Sequence, residues 1–445
     1  MALRRDLTAF QATALNMIDM VGIGPFVTTA LVASTMGFGP YALLAWIAGA
    51  ALSFVDAAIW SELGAKMPEA GGSYAFLRES YGRDRWGRLM AFLFTWQTTF
   101  QAPLVVTSGA LGFAKYLGFV APLDEVTTKL AAAALIVVLV VLLYRKIADV
   151  GAISVVLWVA VMATLLILIV SGLLHADATV MASFWTSPDP TGAWPPLEAA
   201  VLGAATISTV YSYLGYYNVC HLGAEVADPV RIIPRSMYIS IGGIAVLYLL
   251  MQTAIYVVVP FAEVAASPFI VSTFFERLYG HDVALLMTGL VLIVAVASLF
   301  SVMLGYTRIP YAAATDGLFF RAFGRLHPTG DFPHVALLAL GGLGIIFSMT
   351  LTLGDAIKAI ITMRVFTQFI AQAIGLVLLR RRVGAAAMPW RMWLYPLPVV
   401  LVIVGWLSIY ASAKPVQQLA AIVAPIVGCI LYALVVRRRV QHDTP

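Results

Sequence analysis

The sequence predicts an all-α integral membrane protein. It has twelve transmembrane helices: ten in a 5+5 inverted repeat with discontinuous helices 1 and 6, and two more at the C-terminal end. Three observations predict this: an apolar composition, apolar stretches of membrane-crossing length joined by short charged connections, and two helix interruptions at matching positions. Of 445 residues, 61% are hydrophobic and 11% charged, and the mean hydropathy is +0.93. An ordinary soluble domain is about a quarter charged. An outer-membrane barrel would alternate every second residue instead of running apolar for about 20. No polar stretch is long enough to form a separate soluble domain.

Apolar stretches occupy 12–35, 41–64, 89–118, 127–144, 151–174, 198–226, 236–259, 283–306, 333–353, 357–379, 393–412 and 417–436. The first run follows Arg4 and Arg5, as in a signal peptide. It contains Asn16 and Asp19, however, lacks a small-residue cleavage site and is followed by further spans, so it reads as helix 1. An even number of spans puts both termini on one side. Assigning the termini and even-numbered loops to the cytoplasm collects 21 of the 27 Lys and Arg, among them Lys66, Arg145, Lys146, Arg308 and Arg380 to Arg382. The opposite side receives Lys115, Lys129, Arg277 and Lys414. The positive-inside rule then places both termini in the cytoplasm. It also accounts for the net charge of +5, because the basic residues sit in short loops and form no stripe for nucleic acid.

Two connections are long enough to carry structure. Residues 65–88 suggest a short surface helix around Tyr74, Phe76, Leu77 and Tyr81, and 260–282 place Phe269, Ile270, Phe274 and Phe275 at near-helical spacing. Cys220 and Cys429 lie in apolar runs and predict packing rather than a disulfide.

Span 1 contains Gly22-Ile23-Gly24-Pro25-Phe26 near its middle. In a helix interior Gly costs about 1 kcal/mol and Pro about 3 relative to Ala, so a continuous helix is disfavoured there. Pro25 suits the first turn of a new half-helix, where its missing N–H is no loss. Span 6 reads Tyr211-Ser212-Tyr213-Leu214-Gly215-Tyr216-Tyr217-Asn218, with a lone glycine among polar aromatics at membrane depth. The two interruptions lie roughly 190 residues apart and begin the two five-span units, 12–174 and 198–379, with 393–436 appended. Unwound backbone persists in a membrane only where it is buried or lines a cavity. Its free N–H groups, at the positive end of a half-helix, suit a carboxylate, and freed carbonyls suit an ammonium. A zwitterion matches both.

Several motifs resemble the amino acid–polyamine–organocation superfamily over nearly the whole chain. Gly22 to Phe26 is similar to that family's Gly-Ser-Gly-Ile-Phe segment. Trp60-Ser61-Glu62-Leu63-Gly64 with Pro68 to Tyr74 resembles its span 2 and following loop, the most diagnostic piece. Ala224 to Pro229 with Ile233-Pro234-Arg235, and Arg308 to Ala312 with Asp316 to Phe319, resemble its segments after spans 6 and 8. The resemblance implies the leucine-transporter fold, alternating access and amino acid substrates.

It also implies a site. The amides of Ile23 and Gly24 would hold a carboxylate, and the carbonyls of Met20 or Val21 an amine; Tyr211 takes the gating aromatic position, and Ser212, Leu214 and Gly215 line the pocket. Gln101 on span 3 is a further pocket residue. Ile23 stands for a frequent Ser, Pro25 removes an amide, and Leu214 replaces a small residue, which favours small or medium neutral side chains. The lysine that many proton-coupled members carry in span 5 aligns with Trp158, so proton coupling by that route is not expected; proton and sodium coupling stay open.

Asp19, one turn before Gly22, is an ionisable group at membrane depth: a proton carrier, a cation ligand, a counter-ion for a substrate amine, or a carboxylate satisfied by water. Glu62 and Glu225 read as structural or gate contacts, with Tyr216 and His221 as further gating or coupling residues. For Asp56, Gln97, Gln252, Arg364, Gln368 and Gln372 interhelical hydrogen bonding is expected.

No cofactor or metal is expected, and no zinc spacing, phosphate loop or acid/base constellation points to an enzyme. The expected partners are an amino acid and the lipid of a plasma or bacterial inner membrane. A polyamine or other organic cation is the alternative substrate class. A non-transporting membrane sensor is the second alternative, and the short polar tail after Arg439 argues against it.

Overall fold

The computed structural model describes residues 7–436 apart from 70, 145–149, 188, 190 and 329–331. Arg4, Arg5, Ala70, Arg145, Lys146, Ile147, Ala148, Asp149 and Arg437 to Arg439, and with them both termini, lie outside the described residues. Helix dominates. The β structure among the described residues is one isolated parallel bridge between Leu7 and Val226, in which Leu7 N–H donates to the Glu225 carbonyl at 2.9 Å.

Each apolar stretch coincides with a helix or a broken pair. Span 1 is α1 (Ala9–Met20) and α2 (Gly24–Met36), which meet at 49°. Pro25 lies in the first turn of α2, where its ring needs no hydrogen-bonded N–H. Next come α3 (Gly39–Lys66), α4 (Ser73–Ser80), α5 (Arg85–Val120), α6 (Glu125–Leu143) and α7 (Val150–Leu174). Asp84 and Asp124 cap α5 and α6 by accepting from the amides of Trp86 and Thr127.

After α8 (Ala178–Trp185), span 6 is α9 (Ala199–Tyr213), an unwound stretch over 214–217, and the single turn α10 (Asn218–His221). Then follow α11 (Pro229–Tyr256), α12 (Phe261–Ala266), α13 (Ile270–Tyr279), α14 (His281–Thr315) and α15 (His334–Thr350). Last are α16 (Leu353–Arg364), α17 (Ala371–Val383), α18 (Leu397–Ala411) and α19 (Pro415–Leu431). A π-helical stretch, Val365–Ile370, joins α16 to α17.

Among the described residues seven helices are long and apolar enough to cross a membrane alone, nine when each bent pair counts as one span. These helices have the length and apolarity of an integral membrane protein's spans.

Three expectations need correction. The helix in 65–88 does not lie on the surface: Ser73 to Leu77 are buried, and α4 wedges between α5 and α17, with Tyr81 Oη donating to the Ala371 carbonyl at 2.9 Å. Burial raises the Tyr74 hydroxyl above its ordinary pKa, and the Asp316 carboxylate that accepts from it at 2.9 Å adds to the rise. The 175–197 connection also carries structure, because Asp177 caps α8 and Phe184 stacks on Tyr256 at 5.1 Å. Finally, Cys220 is buried and free, as expected, whereas Cys429, also free, is exposed on α19. On the 260–282 connection α13 buries Ile270, Val271, Phe274 and Phe275, its apolar face packing on α2 and α14.

Candidate functional site

The two interruptions face each other. Gly215, at φ +118°, approaches the span 1 break so closely that an added Cβ would lie 2.7 Å from Asp19 Cβ and 2.9 Å from the Met20 nitrogen. Only glycine combines that conformation with that approach. One side chain holds both breaks: the buried Tyr248 on α11 donates to the Met20 carbonyl at 2.8 Å and lies 3.1 Å from the Ser212 carbonyl. Asn16 on α1 accepts from Val219 N–H of α10 at 2.9 Å, and Thr28 on α2 pairs with the Ser212 hydroxyl at 2.8 Å. Unwinding thus leaves few backbone groups without partners, as a membrane interior requires.

At the span 1 break, the N–H groups of Gly22, Ile23 and Gly24 donate to no backbone carbonyl among the described residues. They sit at the positive end of α2, where an anion is favoured. The Met20 carbonyl is already engaged by Tyr248, so the Val21 carbonyl is the more available acceptor.

Tyr211 packs its ring over Gly24, where a Cβ would stand 3.3 Å from Cε1, and its hydroxyl pairs with Ser108 of α5 at 2.9 Å. On the same helix, α5, Tyr116 donates to the Phe26 carbonyl at 3.0 Å. Gln101 Nε2 donates to the Tyr306 hydroxyl at 3.3 Å, tying α5 to α14 beside the break. Leu214 is half-buried at the C-terminal end of α9.

Asp19 keeps accessible surface and lines a small cavity with Val21, Val161, Ser298 and Ser301. The span 5 residue that meets this cavity is Val161, one turn beyond Trp158; helical register accounts for the difference, and neither side chain carries an amine.

Other predicted residues have side chains engaged elsewhere. Ser212 spends its hydroxyl on Thr28. Tyr216 points to α3 and donates to Asp56 at 2.5 Å; Asp56 also accepts from Trp60 at 2.8 Å and Trp406 at 3.4 Å. His221 packs against Gly72, and its carbonyl accepts from Gly71 N–H. Glu62 forms a buried two-point ion pair with Arg380 of α17, at 2.5 and 2.6 Å, and accepts Met392 N–H at 3.0 Å. The Glu225 backbone pairs with Leu7. Gln97, Gln252 and Gln368 make the expected interhelical bonds, to Thr367, Thr29 and Ser73.

Sequence reasoning missed Tyr248, Ser108, Thr28 and Tyr306. Each is an ordinary hydroxyl residue in an apolar span, and no local pattern distinguishes it. A polar aromatic such as Tyr248 at mid-span was the available signal.

Comparison with known proteins agrees with this architecture. The family model described as "Amino acid permease" matches residues 7–435. The human cationic amino acid transporter 4 is 26% identical over 80% of this chain, which spans 57% of that relative's length. The serine/threonine exchanger of Bacillus subtilis (strain 168) is 24% identical over 96% of this chain and 95% of its own. The methylthioribose transporter of the same organism is 23% identical, with 98% and 94% coverage.

Proposed function

The chain belongs to the amino acid permease family, and from that premise we propose that it is a secondary transporter or exchanger that carries amino acids across the membrane by alternating access. The observation that carries this reading is the Tyr248 hydroxyl set between the two breaks, at 2.8 Å from one and 3.1 Å from the other. It holds two unwound segments at one depth in a helical bundle, the arrangement in which transporters bind small solutes.

In this reading the carboxylate of an amino acid sits on the amides of Ile23 and Gly24 and its ammonium meets the Val21 carbonyl. Twelve crossings, a repeat of 12–174 on 198–379, cytoplasmic termini and a plasma or bacterial inner membrane complete the proposal. In this reading the Tyr211–Ser108 contact is a closed gate on one side of the site, and the cavity beside Asp19 is the path to the cytoplasm. Asp19 gives that vestibule a carboxyl group, available to a substrate ammonium or a proton.

The test is counterflow. Purified protein in liposomes preloaded with each of the twenty standard amino acids is expected to accelerate uptake of a radiolabelled one from outside. Binding without counterflow would identify a sensor, and neither binding nor counterflow across the panel would overturn the amino acid reading.

A further inference from the structure

Arg364, at the C-terminal end of α16, is a permanent charge in a nearly sealed position. It is 3% exposed, and a guanidinium does not lose its proton in proteins. Its partners are neutral: Nε donates to Gln368 Oε1 at 2.7 Å and Nη1 to the Tyr217 hydroxyl at 2.7 Å. Among the described residues no carboxylate oxygen comes within ion-pairing distance of it, and its Nη2 has no partner. Arg380 shows the contrast, since the same side chain, also buried, grips Glu62 with two nitrogens. Asp56 adds negative charge at longer range, but its oxygens already take Tyr216, Trp60 and Trp406. A buried ion without a direct partner is costly and is found where function requires it.

The guanidinium adjoins the proposed site. Tyr217, to which it donates, is the last residue of the unwound span 6 segment, and its ring is held flat against Trp60 at 4.4 Å. Tyr306, which accepts from Gln101, lies within electrostatic reach of Arg364, Tyr217 and Tyr211 alike. Gln368 is braced by its own donation to Ser73 at 2.9 Å, which keeps its carbonyl turned to Arg364. The backbone widens into the π-helical stretch directly after Arg364, a distortion frequent at functional sites.

We infer that Arg364 is the side-chain subsite of the carrier, and that the substrate class is a dicarboxylic amino acid whose second carboxylate the guanidinium takes through its unengaged N–H groups. This rests on the transport reading above. The planar fork matches a carboxylate, and an ammonium or amide group meets it poorly. The expectation of a neutral side chain, drawn from Ile23, Pro25 and Leu214, gives way: those residues limit the size of the side chain, and Arg364 decides its charge.

Isosteric pairs test this, because glutamate and glutamine, or aspartate and asparagine, differ in charge at nearly equal size. Equilibrium binding of each to the purified, reconstituted protein is expected to favour the acid over its amide by about tenfold or more. In Arg364→Gln the ratio is expected to fall to about one, and in Arg364→Lys to keep part of the preference. The ratio is internal to each protein, so lower yield of a variant does not mimic it. If a variant does not fold, the parent's own ratio still decides. Equal binding of acid and amide by the parent, preference for lysine or arginine over glutamate, or an unchanged ratio in Arg364→Gln would each overturn the inference. If the parent binds none of the twenty amino acids, the transport reading itself has failed and this inference falls with it.

Discussion

Gly215→Ala is expected to weaken amino acid binding and counterflow by about 30-fold or more and to lower the unfolding temperature in detergent. Two costs coincide at this position. At φ +118° a side chain is strained by roughly 1–3 kcal/mol. The new methyl would also meet Asp19 Cβ at 2.7 Å, the Asp19 carbonyl carbon at 2.8 Å and the Met20 nitrogen at 2.9 Å. Two of these are backbone atoms of the opposite break and cannot rotate aside, so overpacking adds about 1–3 kcal/mol. The strain is relieved by pushing the breaks apart, which moves the unwound span 6 segment away from the Ile23 and Gly24 amides. An alanine variant that binds and exchanges as the parent does would show that the close approach is not needed.

Glu62→Gln is expected to destabilise the protein by about 3–5 kcal/mol, measured by reversible unfolding in micelles. The carboxylate is 0% exposed and takes two nitrogens of Arg380 and one backbone N–H. Glutamine keeps the shape and part of the hydrogen bonding, but leaves the guanidinium buried without its counter-ion. Arg380 is further confined by the Tyr395 ring, 3.9 Å from its carbon centre. Replacing both residues by methionine is expected to recover most of the loss, because a buried pair repays little beyond the desolvation of its members. A loss below about 1 kcal/mol in the single variant would show that water reaches the pair.

Much of the fold is legible in the sequence because lipid imposes a simple length and polarity rule. Both discontinuities are legible for a related reason: Gly22, Gly24 and Pro25 oppose helix locally, and Gly215 stands alone among polar aromatics. What holds the discontinuities together is not legible. Tyr248 meets Met20 from 228 residues away, and nothing in its span separates it from Tyr238 and Tyr256 or names its partners. Arg364 stands out as a charge in an apolar span, yet its lack of a direct counter-ion depends on where Asp56 and Tyr217 fall in two other spans. Register is a further limit, since one turn of helix separates Trp158 from Val161, which meets the Asp19 cavity. The structure in 175–197 is not legible either, because the burial of Phe184 depends on Tyr256, far along the chain.

The central claim is that the facing breaks of spans 1 and 6 form the place where substrate is held. Single-particle imaging of the protein in a lipid disc, with a transported amino acid bound, tests it most directly. The account predicts density between residues 21–24 and 214–217, with the α-carboxylate within hydrogen-bonding distance of the Ile23 and Gly24 amides. Substrate density elsewhere in the bundle, or a helix that runs unbroken through Gly22–Pro25 or Gly215, would contradict it.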